Sequence, residues 1–180
     1  MAHPEQANYF KTVKGRFPSR FNNCSVLDIG SLDINGNNRH LFTGNYTYIG
    51  VDIGPGKNVD VVSRGHEYKP NTPFDIVISA ECFEHDEFWP LTIQNGINYL
   101  KPNGLFLFSC ATDSRPEHGT RKTTPQDSPF TSKIENDYYK NLSPIDILTK
   151  VDIDGQFIEY EFFVRRSWPQ DMYFYGIKKK

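Results

Sequence analysis

The stretches Phe74 to Ser79 (FDIVIS) and Leu105 to Ala111 (LFLFSCA) are nearly continuous in apolar residues. A strand with one wet face alternates apolar and polar residues, whereas a strand covered on both faces reads as an unbroken apolar run. Two such runs require a parallel sheet with layers on both sides. Disordered, coiled-coil and collagen-like chains are excluded by the ordinary mix of apolar and charged residues.

Further elements fall into place around these two strands. Ser25 to Ile29 (SVLDI) is a short apolar run ended by Gly30 and the turn-rich SLDINGNN, and Tyr46 to Asp52 (YTYIGVD) is a second run ended by Gly54-Pro55-Gly56. A brief strand is expected at Val59 to Val62. Asp86 can cap a helix running to about Leu100, with Phe88, Leu91, Ile93, Ile97 and Leu100 near the 3.6-residue period, Pro90 in the first turn and Pro102-Asn103-Gly104 as the stop. Ser143-Pro144 starts a short helix through Lys150, and Phe157 to Val164 and Met172 to Ile177 read as a hairpin. The expected fold is α/β: a Rossmann-like, doubly wound, mostly parallel seven-stranded sheet with an antiparallel C-terminal hairpin and helices on both faces. We expect one domain over residues 1–180, with a leading helix and linker over 1–22 and an irregular, Thr-, Ser- and Pro-rich insertion over 112–142. A loop of that length in a compact domain is usually functional, and we expect it on the substrate side.

Twenty Lys and Arg against twenty-two Asp and Glu give a formal net charge of −2, which argues against a dedicated nucleic-acid binder. The terminal Lys178-Lys179-Lys180 reads as a solvated tail. Cys24, Cys82 and Cys110 are odd in number, far apart and free of CxxC pairs, as reduced thiols of a cytoplasmic protein would be. No stretch approaches a bilayer-spanning length of apolar residues, and the first ten residues lack a signal-peptide core.

In open parallel sheets ligands bind beyond the carboxyl ends of the strands, where strand order reverses. Beyond the first strand stands Asp28-Ile29-Gly30-Ser31-Leu32-Asp33-Ile34-Asn35-Gly36. Its two glycines lack the GxGxxG spacing that lets backbone approach a pyrophosphate, and no GK[ST] follows, so neither NAD nor a P-loop nucleotide is expected. Asp52, at the end of the next strand, can accept both hydroxyls of a ribose. The implied ligand is a nucleoside without phosphates.

Taken in order, VLDIGS, YIGVDI, FDIVISAECFEH and LKPNGLFLFSC resemble the class I S-adenosylmethionine-dependent methyltransferases, and most closely a small-molecule type, over roughly residues 24 to 111. The resemblance implies S-adenosylmethionine as cofactor and S-adenosylhomocysteine as product. It implies that Asp28, Gly30 and Ser31 shape the loop around the methionine part, with Asn35-Gly36 closing the turn. Asp52 would hold the ribose, Ile53 would lie against the adenine, and Ser79 and Ala80 would face the sulfonium. Where the family often has an acid near the adenine amine, this chain has Ser63-Arg64-Gly65-His66, so adenine contacts would come from Gly65 and His66 through backbone and stacking.

Methyl transfer to a hydroxyl profits from a general base. His85, just past the fourth strand, is the first candidate, with Glu81 to orient it or bind the acceptor. His118, in the 112–142 insertion, is the rival base; Arg115 and Arg121 could clamp an anionic group, and Tyr138 and Tyr139 could stack on an acceptor ring. Glu81, Glu84, Asp86 and Glu87 do not converge along the chain, and no metal is expected. The expected activity is methylation of a small polar acceptor, most of all a sugar or glycan hydroxyl. The alternatives are N-methylation of a protein or nucleic acid, and a binding or scaffold protein that keeps the fold without catalysis.

Overall fold

A computed structural model describes residues 3–180 of the chain. Seven strands form one sheet: β1 (Ser25–Ile29), β2 (Thr47–Asp52), β3 (Val61–Val62), β4 (Phe74–Ala80), β5 (Leu100–Ala111), β6 (Phe157–Val164) and β7 (Asp171–Lys178), in the order β3-β2-β1-β4-β5-β7-β6. Pairing is parallel from β3 through to β5, and β7 runs antiparallel to both of its neighbours. Strand order reverses between β1 and β4, which opens a crevice at their carboxyl ends.

The apolar runs are buried on both faces, as their composition requires. Leu27, Val77, Phe106 and Phe108 point to one side of the sheet, and Val26, Ile76, Ile78, Leu105 and Leu107 to the other. Helix α1 (Pro4–Arg16) covers the second side with Phe10 and Val13, and α2 (Trp89–Asn98) covers the first with Ile93 and Ile97. Two shorter helices, α3 (Pro144–Lys150) and α4 (Ile153–Gln156), add Ile147 and Ile153 to the α2 side. α3 starts where Ser143-Pro144 indicates: the Ser143 hydroxyl accepts from the Asp146 N–H, and the Asp146 carboxylate accepts from the Ser143 N–H, a reciprocal capping box. No helix among the described residues is long and apolar enough to cross a membrane.

Two local expectations give way to the structure. The helix after β4 does not start at Asp86. A 3-10 turn, Phe83–His85, intervenes, and the Asp86 carboxylate instead accepts from the Phe88 N–H at 2.9 Å and the Thr92 hydroxyl at 2.5 Å. Pro102-Asn103-Gly104 does not stop α2, which ends at Asn98; Leu100 already pairs with Phe74, and the chain then bulges before Leu105 pairs with Ile76. Asn103 takes a left-handed conformation (φ 62°) in that bulge. The β1 to β2 connection, read as a turn-rich loop, carries one 3-10 turn, Arg39–Leu41, and Leu41 and Phe42 cover the sheet there.

Because α2 is the principal cover of its face, Ile93→Ala is expected to lower unfolding stability by about 2–5 kcal/mol. A urea titration checks this, with Ile145→Ala, at an exposed position of α3, within about 0.5 kcal/mol of wild type.

Candidate functional site

The chain leaving β1 turns at Gly30, whose φ of +75° favours glycine. A Cβ there would sit 2.5 Å from Cβ and Sγ of Cys82, on the chain leaving β4. The Gly30 and Ser31 N–H groups both donate to the Val51 carbonyl of β2, at 2.9 and 3.1 Å. The Asp52 carboxylate then accepts from the N–H groups of Leu32 (3.1 Å) and Gly54 (3.3 Å), joining the loops after β1 and β2. Burial raises its pKa above the ordinary carboxylate value.

Beside it, Asp28 is buried. Its Oδ2 accepts from the Tyr48 hydroxyl at 2.5 Å and from the Asn58 amide at 3.4 Å, while Oδ1 has no partner among the described residues. The turn over Asn35 and Gly36 is shaped by Asp33, which accepts from the Gly36 N–H at 2.7 Å and the Asn37 amide at 2.9 Å.

These loops line a cleft of about 1160 Å³, part of it open to solvent. Of the residues expected at a cofactor, Asp28, Gly30, Ser31, Asn35, Asp52, Ile53, Gly65 and Ala80 all lie on its wall. Ser79 and His66 do not. The Ser79 hydroxyl is fully buried and donates to the Ile29 carbonyl at 2.8 Å, stitching β4 to β1. The His66 ring packs against Phe88 with centroids 4.1 Å apart, and its carbonyl accepts from the Asn95 amide.

The 112–142 insertion supplies the opposite wall through residues such as Asp127, Phe130, Thr131, Asn136 and Tyr138. Phe130 reaches the end of β2: a Cβ on Gly54 would lie 2.2 Å from its ring. No local pattern in the sequence announces this contact, nor the lining positions Leu32, Ile34 and Cys82.

His85 lies on the cleft wall, with its ring edge-on to His118 (5.2 Å between centroids) and Tyr139 (5.3 Å). Burial, with His118 adding to it, pushes its pKa down to about 3, so the imidazole is neutral at physiological pH. His118 stands behind it, brought down to about 4 by burial and by Arg115. Glu81 does not orient His85. It takes a left-handed conformation (φ 53°), turns into the sheet and accepts from the Ser109 hydroxyl at 2.7 Å, with Arg115 and His3 each 3.9 Å from its other oxygen. The carboxylate near the histidines is Glu84, 3.9 Å from His118 Nε2; burial raises the pKa of both acids.

The two arginines are structural rather than free for an anion. Arg115 is buried against Asp171 and the Pro169 carbonyl, and Arg121 donates to the carbonyls of Ser132, Ile134 and Glu135. Tyr138 lines the cleft, whereas Tyr139 packs on the histidines.

Burial pushes the Asp28 carboxyl up to about 7 from 3.8. The folded protein therefore keeps this proton where the unfolded chain has lost it, so the stability present below about pH 4 declines as pH rises towards 7. Asp28→Asn removes that decline. In denaturant titrations the variant is expected to match wild type near pH 4 and to exceed it near pH 8; equal stability at both would contradict the assignment.

Comparison with known proteins follows the same lines. No curated protein matches the sequence. Solved structures of similar fold include N-methyltransferase NodS from Bradyrhizobium japonicum WM9 in complex with S-adenosyl-L-homocysteine (13% identity, TM-score 0.64, covering 98% of this chain and 87% of that one). Another is 1,6-didemethyltoxoflavin-N1-methyltransferase from Burkholderia thailandensis with 1,6-didemethyltoxoflavin and S-adenosylhomocysteine (12%, 0.60, 100% and 92%). A third is the N-terminal domain of EvdMO1 in the presence of S-adenosylhomocysteine and D-fucose (14%, 0.65, 99% and 85%). At these identities the likeness is one of fold. The family profile described as a methyltransferase domain matches residues 1–164, from the start of the chain to the end of β6, and the protein belongs to that family.

Proposed function

We propose that the cleft binds S-adenosylmethionine and that the protein methylates a hydroxyl of a small polar acceptor, most of all a sugar or glycan unit. The observation that carries this reading is the pair of carboxylates at the carboxyl ends of β1 and β2, Asp28 buried and Asp52 half-buried, beside a glycine turn. Asp28 Oδ1, buried and unpartnered among the described residues, suits the ammonium of an amino acid; Asp52 suits vicinal ribose hydroxyls. Gly30, Ser31 and Asn35 then surround the methionine part, Ile53 and Gly65 the adenine, and Ala80 the sulfonium. Ser79 acts indirectly by fixing β4 against β1, and His66 by packing under the adenine side on Phe88.

S-adenosylmethionine supplies, when bound, an electrophilic methyl group on a positively charged sulfur. The chain contributes alignment, which can supply about 7–11 kcal/mol towards the barrier, and exclusion of water by the wall over Asp127 to Tyr138. A hydroxyl sheds its proton as it takes the methyl, and His85 is the neutral group on the wall through which that proton is drawn off. The hydroxyls, amide and aromatic rings of Ser128, Thr131, Asn136, Phe130 and Tyr138 match the mixed polar and flat faces of a sugar. One structural neighbour was solved in the presence of D-fucose, which favours the same class. We place the protein in the cytoplasm, where three free cysteines remain reduced.

Titration calorimetry with S-adenosylhomocysteine tests the cofactor site: wild type should bind, and Asp52→Ala should weaken binding at least about tenfold through the lost hydrogen bonds. With a panel of sugars as acceptors, His85→Ala should lower product formation by about 10²–10⁴-fold while leaving cofactor affinity unchanged. No binding by wild type would overturn the reading, and turnover confined to amine acceptors would overturn its hydroxyl part.

A further inference from the structure

Behind the cleft wall, three side chains of the kind that bind metals bring one ligand atom each close together. Glu84, on the turn after β4, is fully buried; Oε1 accepts from the Ala111 N–H at 3.2 Å, and Oε2 has no partner among the described residues. His118, from the 112–142 insertion, has Nδ1 3.2 Å from the Pro116 carbonyl and 3.1 Å from the Tyr139 hydroxyl. The carbonyl can only accept, so the ring hydrogen sits on Nδ1 and the Nε2 lone pair is bare. That Nε2 is buried without a partner among the described residues, 3.9 Å from Glu84 Oε1. Nδ1 of His85 is likewise buried and has no partner among them. One donor atom from each of the three residues lies within 4.8 Å of the others.

Those separations discriminate between possible occupants. They are too long for direct hydrogen bonds, and each group can turn a lone pair to one common point: Glu84 as the carboxylate, His118 through Nε2, and His85 through Nδ1 when its ring hydrogen is on Nε2. A divalent cation engages all three lone pairs at once. Ligand distances of about 2.0–2.2 Å bring donor atoms to within roughly 3–4 Å of each other, so the cluster needs to contract by only about an ångström. Two imidazoles and one carboxylate form a borderline donor set, suited to zinc and its first-row neighbours rather than to magnesium or calcium. Pro116 and Tyr139 hold the far nitrogen of His118, as outer partners of ligating histidines do.

We propose that Glu84, His85 and His118 form a binding site for a first-row divalent cation of the Zn²⁺ type. Such an ion ties the 112–142 insertion, through His118, to the turn after β4, and so fastens one wall of the cleft to the other. Its role is structural: with Nδ1 on the ion and the ring hydrogen on Nε2, His85 has no lone pair left for a proton, so on the methyl-transfer reading the ion-free form is the one in which His85 serves as base. Ion binding itself does not depend on that reading. Read along the chain, the site is invisible, because His118 joins Glu84 and His85 only through the fold.

The test uses the full chain without a histidine tag, stripped with a chelator and titrated with CoCl₂ while the visible ligand-field bands are recorded. ZnCl₂ is followed in parallel by calorimetry. One equivalent of Co²⁺ with intense, low-symmetry bands is expected. His118→Ala and Glu84→Gln should each weaken binding at least tenfold, and His40→Ala, outside the cluster, should leave it unchanged. Should Glu84→Gln fail to fold, His118→Ala, in the irregular insertion, decides. No stoichiometric binding, or binding unaffected by His118→Ala, overturns the site. S-adenosylhomocysteine calorimetry on the same samples separates the two readings: cofactor binding without Co²⁺ binding refutes the ion site alone, and Co²⁺ binding without cofactor binding refutes methyl transfer alone.

Discussion

The close approach of the chains leaving β1 and β4 is the constraint on which the rest of the site depends. Gly30 has no side chain and a left-handed backbone, so Cys82 can occupy the space a Cβ would need. The Ser79 hydroxyl closes the same junction from below through the Ile29 carbonyl. With that junction fixed, the Gly30 and Ser31 N–H groups reach β2, Asp52 ties Leu32 to Gly54, and the carboxyl ends of three strands open into one cleft. Parallel strands buried on both faces make this geometry recur: the helices and turns that cover the sheet leave only the strand ends free for chemistry.

The site carries its function at a cost to stability. Asp28, Glu81, Glu84 and Asp171 are buried acids whose pKa values burial raises. Arg115 offsets part of this against Asp171, but Asp28 Oδ1 and Glu84 Oε2 are left with open acceptor capacity. Groups so placed are costly in a structural core and useful in a site that awaits a cation or a hydrogen-bond donor. The same burial keeps His85 and His118 neutral, so their ring nitrogens are available to bind or to take a proton. One fold thus sets Asp28 and Asp52 at the strand ends and two imidazoles, with Glu84, beside the insertion.

What the sequence discloses is what local chemistry writes. FDIVIS and LFLFSCA announce two-sided strands, Ser143-Pro144 announces a helix start, and Asp28, Gly30 and Asp52 stand at strand ends where a ligand belongs. What it conceals is settled by contacts between distant segments. Glu81 and Glu84 look equivalent on paper; the left-handed turn at Glu81 sends it towards Ser109 and leaves Glu84 to the histidines. Phe130 on Gly54 and His118 beside His85 depend on how the insertion folds back, which no periodicity encodes. Ser79 and His66 were plausible by position but are turned into packing roles, because a serine hydroxyl flanked by strands finds a carbonyl and a histidine beside Phe88 finds a ring. Pro102 to Gly104 reads as a helix stop, yet the chain absorbs it as a bulge inside β5.

Amide hydrogen exchange of the full chain, with and without saturating S-adenosylhomocysteine, tests the central claim most directly: that the β1, β2 and β4 ends and the insertion form a single cofactor cleft. The account predicts slowed exchange at residues 29–36, 52–54 and 63–65 together with 127–138 on the opposite wall. Slowing confined to the strand ends would contradict the part given to the insertion, and no change at either wall would contradict the cleft itself.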